Sequence, residues 1–152
     1  MRRREDYLAG AAAGVVAGLV AAFLMEKAQE RLRLLAPRLT LPSTELAAEA
    51  VAGKPMPPPV RSDAGRLVHY VTGAALGLVY GVLAERFKAV TSGFGLSFGT
   101  GMAMGIDESL IPALGLAPPV HKSTPGQHLY SLASHLVFGA SLEGARRLLR
   151  GG

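Results

Sequence analysis

Residues Tyr7 to Met25 form a run of nineteen residues without a charge. At about 1.5 Å of rise per helical residue, that run is close to the thickness of a bilayer core. Three more runs follow. Leu67 to Ala84 contains one ionisable group, His69; Ala89 to Ile106 contains none and is ended by Asp107 and Glu108; Gly126 to Leu142 is shorter and carries His128 and His135. As buried helices of a soluble protein, four such runs in 152 residues would need a charged shell, yet only 18% of the residues are charged, against about a quarter in ordinary soluble domains. The expected fold is therefore all-α: a polytopic membrane protein with four transmembrane helices at about 7–26, 67–85, 89–111 and 127–145, forming a single membrane domain over 1–152. A mean hydropathy of +0.30 agrees with lipid rather than water as the solvent of this chain.

Arg2, Arg3 and Arg4 ahead of an apolar run suggest a signal peptide. The run exceeds the usual apolar region of about 7–15 residues, and it leads into Glu26-Lys27-Ala28-Gln29-Glu30-Arg31 rather than a cleavage site. A retained helix is expected. The stretch from Lys27 to Arg66 reads as an extramembrane, Pro-rich loop of about 40 residues: a helical extension to Leu35, breaks at Pro37 and Pro42, a short helix opened by Ser43-Thr44-Glu45, and an extended return through Pro55-Met56-Pro57-Pro58-Pro59. This loop and the one from Ala117 to Gln127 must emerge on the same face. Lys and Arg divide equally, eight on each side, so orientation rests on their clustering at span ends near the termini, which favours termini on the cytoplasmic side.

The net charge of +5 does not indicate nucleic acid, because the basic residues flank the apolar runs instead of forming a patch with stacking or base-reading groups. With no cysteine there is no disulfide framework, thiol nucleophile or thiolate-ligated metal. No metalloprotease, nucleophile-elbow, P-loop or Ser/Lys constellation is present, so the chain is not read as an enzyme.

Small residues recur every four positions. Gly10, Gly14 and Gly18 lead to Ala22 and Glu26; Gly95 and Gly99 lead to Ala103 and Asp107, an offset of 81 residues from Glu26 to Asp107. His69, Gly73, Gly77, Gly81 and Glu85 match Gln127, Ser131, His135, Gly139 and Glu143 at an offset of 58. Leu78-Val79-Tyr80-Gly81 and Leu136-Val137-Phe138-Gly139 align within that match. The chain reads as a duplicated helical hairpin, chance recurrence in Gly- and Ala-rich sequence being the competing explanation. These glycines, with Gly101 and Gly105, are expected to pack helices in glycine-zipper fashion and to support a homo-oligomer or a place in a larger membrane complex.

The order of these elements resembles the YagU-like family of small bacterial inner-membrane proteins. The resemblance rests on Gly99-Thr100-Gly101, Asp107-Glu108, Pro112-Ala113-Leu114-Gly115-Leu116 and Pro118, and on the fourth run with His128, Ser134-His135-Leu136-Val137-Phe138-Gly139, Glu143 and Arg146-Arg147. It covers the chain from Leu67 onward well and the first run loosely, while the Pro-rich loop departs from it. The family's function is unknown, so the resemblance implies location and fold and brings no site residues.

In the four-span reading Glu26, His69, Asp107, Glu108, His128 and His135 all lie toward the loop-bearing face. Ionisable side chains at membrane depth are costly and usually face a bundle interior, a partner or a wet cavity, which makes these six a candidate polar cluster. Asp107 and Glu108 would differ by about 100° of rotation on an α-helix, so Asp107, which continues the small-residue series, is the one expected inside. Three functions could use the cluster: a proton- or cation-responsive channel, carrier or sensor; a structural subunit in which it only fixes packing; or a helical bundle in which His69 and His128 clamp a haem or metal. No cofactor is expected from the sequence beyond that last alternative.

Overall fold

The computed structural model describes residues 2–35 and 43–151. Among them every regular element is helical. Pro37 and Pro42 lie outside the described residues.

Helix α1 (Arg2–Leu35) contains no proline and runs unbroken for 34 residues, through the first apolar run and onward into the charged turns after Met25. A Lys27 to Glu30 ion pair of 2.8 Å sits on that extension. Helix α2 (Ser43–Ala52) starts where the Ser-Thr-Glu signature placed a helix, with Glu45 in its first turn. Helix α3 (Pro58–Ala84) begins earlier than the apolar run that fills its last two thirds. The extended proline segment therefore ends at Pro57 rather than Pro59, because a proline lacking an N–H costs nothing in a first helical turn whose N–H groups have no partner anyway.

The third apolar run departs further from expectation. Its helix was expected from residue 89, yet residues 85–95 form successive turns and α4 (Leu96–Met102) starts seven residues later. Gly93, Phe94 and Gly95 all have positive φ, between 57° and 82°, which a right-handed helix cannot accommodate. From Ala103 to Leu110 the chain is a π-helix, closed by α5 (Ile111–Ala113). Pro112 brings no N–H to the carbonyls one turn back and its ring crowds them, so the preceding turn widens to i→i+5 bonding, as in the Ile111 N–H to Ile106 carbonyl bond. A 3-10 turn (Val120–Lys122) leads to α6 (Pro125–Arg150). Thr124 and Gln127 form a reciprocal capping box at its start, and Gly151, with φ of 83°, ends it.

Helices α1 and α3 pack antiparallel through glycine. A Cβ added at Gly14 or Gly18 would collide with the carbonyl oxygen of Gly77 or Gly73, and one at Gly10 would come within 2.7 Å of Glu85 Cγ. Helices α4 and α6 meet in the same way, Gly95 against Gly139 and Gly99 against the His135 carbonyl. At the offsets of 81 and 58 residues, the second pair is displaced by one helical turn relative to the first. Gly101 and Gly105 differ from these packing glycines: a Cβ on either would meet nothing within 4 Å, so neither packs against another helix among the described residues.

The interior is built from small residues and the exterior from large ones. Ala17, Ala21, Ala22 and Ser134 are fully buried, whereas Leu8, Val16, Leu19, Val20, Phe23 and Leu24 of α1 are exposed. Water as solvent selects the opposite arrangement. The larger core side chains, Tyr80, Phe138 and Leu142, join α3 to α6, with the Tyr80 ring edge-on to Phe98 at 4.8 Å. Helices α1 and α3 are each long and apolar enough to cross a membrane.

Candidate functional site

Where the loop-side ends of α1, α3 and α6 meet the π-helical segment, with α2 alongside, the bundle opens into a cavity of about 610 Å³. All six residues of the expected polar cluster, Glu26, His69, Asp107, Glu108, His128 and His135, line it. Each is held by a different local device.

Asp107 accepts a hydrogen bond of 2.5 Å from Ser131 Oγ, and its Oδ2 lies 3.6 Å from Nδ1 of His135. That same Nδ1 is 3.0 Å from the Ser131 carbonyl oxygen, one turn back on α6. A carbonyl only accepts, so the hydrogen resides on Nδ1 and Nε2 is the nitrogen left over. The His135 side chain is 9% exposed. Glu108 reaches the preceding turns of α6, where its Oε1 accepts from Nδ1 of His128 at 2.7 Å.

The expectation that only Asp107 points inward is thus corrected, since both carboxylates reach α6. The physical reason is the π-helix: its wider turn rotates successive residues by less than the 100° of an α-helix, and the two neighbours face one helix instead of diverging. Helix α6 supplies their partners, with His128, Ser131 and His135 on consecutive turns.

On the opposite wall Glu26 is bound by Tyr70 Oη at 2.5 Å and by Arg66 Nε at 3.0 Å. His69 donates from Nε2 to the Ala22 carbonyl at 3.0 Å and so staples α3 to α1. His69 and His128 are each engaged through one ring nitrogen, with Ala22 and with Glu108. Only their other nitrogens could serve a haem or metal. Among the described residues no three of His, Asp or Glu converge as ligands.

The sequence reading did not single out Arg66, Tyr70, Tyr130 or Ser131 as members of the site. Ser131 stands on the four-step series that contains His135, and Tyr70 adjoins His69, so both were findable by asking which side chains could satisfy the carboxylates. A second polar cluster, at the far end of the bundle, was also missed. Glu143 is completely buried and accepts from Tyr80 Oη at 2.8 Å, Arg146 Nε at 2.7 Å and Arg147 Nε at 2.7 Å. Nearby, Arg150 Nε reaches Glu85 at 3.1 Å. This far cluster is fully paired and faces no part of the cavity, so it reads as structural.

No family model, curated protein or solved structure matches this chain.

Proposed function

We propose that this chain is a multi-pass membrane protein in which the cavity is a proton- or cation-responsive site of a small channel, carrier or sensor. The observation that carries the proposal is the pairing of two adjacent carboxylates with two histidines two turns apart on one helix, at the wall of a cavity. Histidine is the side chain whose charge changes between about pH 5 and 8. Placed on a carboxylate, it makes the local charge depend on protons and on any cation that competes with them.

In this proposal the inverted interior, small residues inside and Leu, Val and Phe outside, is the mark of a bilayer, where close backbone packing replaces hydrophobic burial. Helices α1 and α3, the α4 to α5 segment and α6 are the four spans, arranged as a duplicated hairpin with glycine-zipper contacts in each half. The membrane is a bacterial inner membrane with the termini on the cytoplasmic side, as the clustered basic residues and the YagU-like resemblance suggest. No catalysis and no cofactor are part of the proposal.

A second reading is supported by one observation. Gly101 and Gly105 leave a small-residue face open on the outer side of the third segment, which suits a structural subunit that docks against another copy or another membrane protein. Reconstitution into liposomes separates the two. Proton or potassium flux that Asp107→Asn and His135→Ala suppress supports the responsive site. Absence of flux, with oligomers intact and unaffected by those variants, supports the structural subunit.

A further inference from the structure

We infer that the cavity takes a lipophilic organic cation, an amine or onium group on an apolar body, in exchange for protons held at the Asp107/His135 and Glu108/His128 pairs. This rests on the responsive-site reading above and names its substrate class.

The inference follows from which charges in the cavity are already compensated. On α1, Glu26 is paired with Arg66 of α3 at 3.0 Å and Glu30 with Lys27 at 2.8 Å. On α2, Glu45 is paired with Arg61 at 2.9 Å. Asp107 and Glu108 have no lysine or arginine partner among the described residues; their partners are Ser131, His135 and His128. His69 of α3 faces a backbone carbonyl rather than a carboxylate. The remaining cavity cation, Arg33 of α1, is exposed. With His128 and His135 neutral the cavity therefore carries an excess of negative charge. With both protonated it does not.

A bound cation and the two histidine protons thus compete for the same carboxylates. One positive charge can replace another, and binding of a permanent cation releases protons to solvent. No bond other than N–H is broken, and the account balances in charge.

The size and walls of the site choose the kind of cation. A volume of about 610 Å³ falls within the range of sites for drug-sized molecules. It is far larger than an inorganic ion needs, and among the described residues no three of His, Asp or Glu converge to strip one of its water. Leu76, Ile106, Ile111, Leu114 and Phe138 line the same cavity as the carboxylates, and so does Tyr130, an aromatic side chain of the kind that attracts cations. His135, buried and with Nε2 unpartnered among the described residues, borders the same space.

Tetraphenylphosphonium, a permanent cation on an apolar body, is the direct probe. It is added to the full-length protein in lipid nanodiscs, and binding is measured by equilibrium dialysis while proton release is followed in weakly buffered solution. Saturable binding with proton release, weakened about tenfold or more by Asp107→Asn or Glu108→Gln and unchanged by Glu85→Gln at the far end, is the expected result; tenfold corresponds to about 1.4 kcal/mol. Thermal unfolding of each variant shows whether it is folded, and His135→Gln, which keeps a polar side chain there, should retain binding while losing part of the proton release. No saturable binding, equal binding of the anion tetraphenylborate, or binding indifferent to Asp107→Asn and Glu108→Gln overturns the inference. If potassium or proton flux still depends on Asp107 in that event, only the substrate class is wrong. If flux fails as well, the responsive-site reading falls with it.

Discussion

Tyr80 Oη donates a 2.8 Å hydrogen bond to Glu143 Oε2 and thereby joins α3 to α6 at the end of the bundle remote from the cavity. Glu143 has no solvent exposure, and its oxygens are also met by Arg146 and Arg147. A buried carboxylate with this many donors is stable only as a complete set. Removing the acid leaves a half-buried guanidinium and a buried phenol without an acceptor.

Two substitutions should therefore differ in size. Tyr80→Phe removes one donor and leaves Glu143 its arginines, so a loss of about 1–3 kcal/mol is expected. Glu143→Ala breaks the network from its centre and should cost about 3–5 kcal/mol. Chemical unfolding of the detergent-solubilised protein measures both, and equal small effects would remove the network from the stability account.

Glycines on the two sides of the bundle should respond oppositely. Gly77→Ala places a methyl group against the Gly14 carbonyl oxygen, which the backbone can relieve only by separating α1 from α3. A loss of about 1–3 kcal/mol is expected, with Gly77→Leu disturbing assembly outright. Gly101→Ala meets open space and gains helix propensity, so monomer stability should hold or rise by about 0.5–1 kcal/mol. If Gly101→Ala nevertheless disrupts an oligomer seen by native mass spectrometry, the open face is the contact between copies.

Topology can be tested without function. Ser62 and Ser123 both border the cavity, while Lys88 lies in the exposed turns that link α3 to α4. Cysteine at position 62 or 123 should react with an impermeant maleimide from one side of the membrane, and cysteine at position 88 from the other. Labelling of 62 and 123 from opposite sides would break the four-span arrangement.

The parts of this molecule legible in its sequence are those governed by composition along one helix. Charge-free runs located α1 and the apolar part of α3, and glycines four residues apart coincide with the close approaches of α1 to α3 and of α4 to α6, although Gly101 and Gly105, at the same step, meet nothing among the described residues. The start of α4 was not legible, because residues 89 to 95 are as apolar as a span and their turns depend on left-handed φ at Gly93, Phe94 and Gly95. The π-helix was equally hidden: Pro112 announces a break, yet nothing local says that the break is absorbed by widening the turns that carry Asp107 and Glu108. Pairs between distant segments, such as Tyr80 with Glu143, are set by the packing of α3 and α6 against α1 and leave no spacing to read. The cavity cluster could be anticipated because the hairpin topology alone puts the ends of the four apolar runs together.

Central to the account is that each histidine and its carboxylate act as one unit. The most direct test is a double-mutant cycle on proton flux into liposomes, using His128→Gln, Glu108→Gln and the double variant. The account predicts flux in the unmodified protein and strong non-additivity, the double variant losing little more than either single one because their shared interaction is already gone. Additive losses, or no flux to begin with, would contradict it.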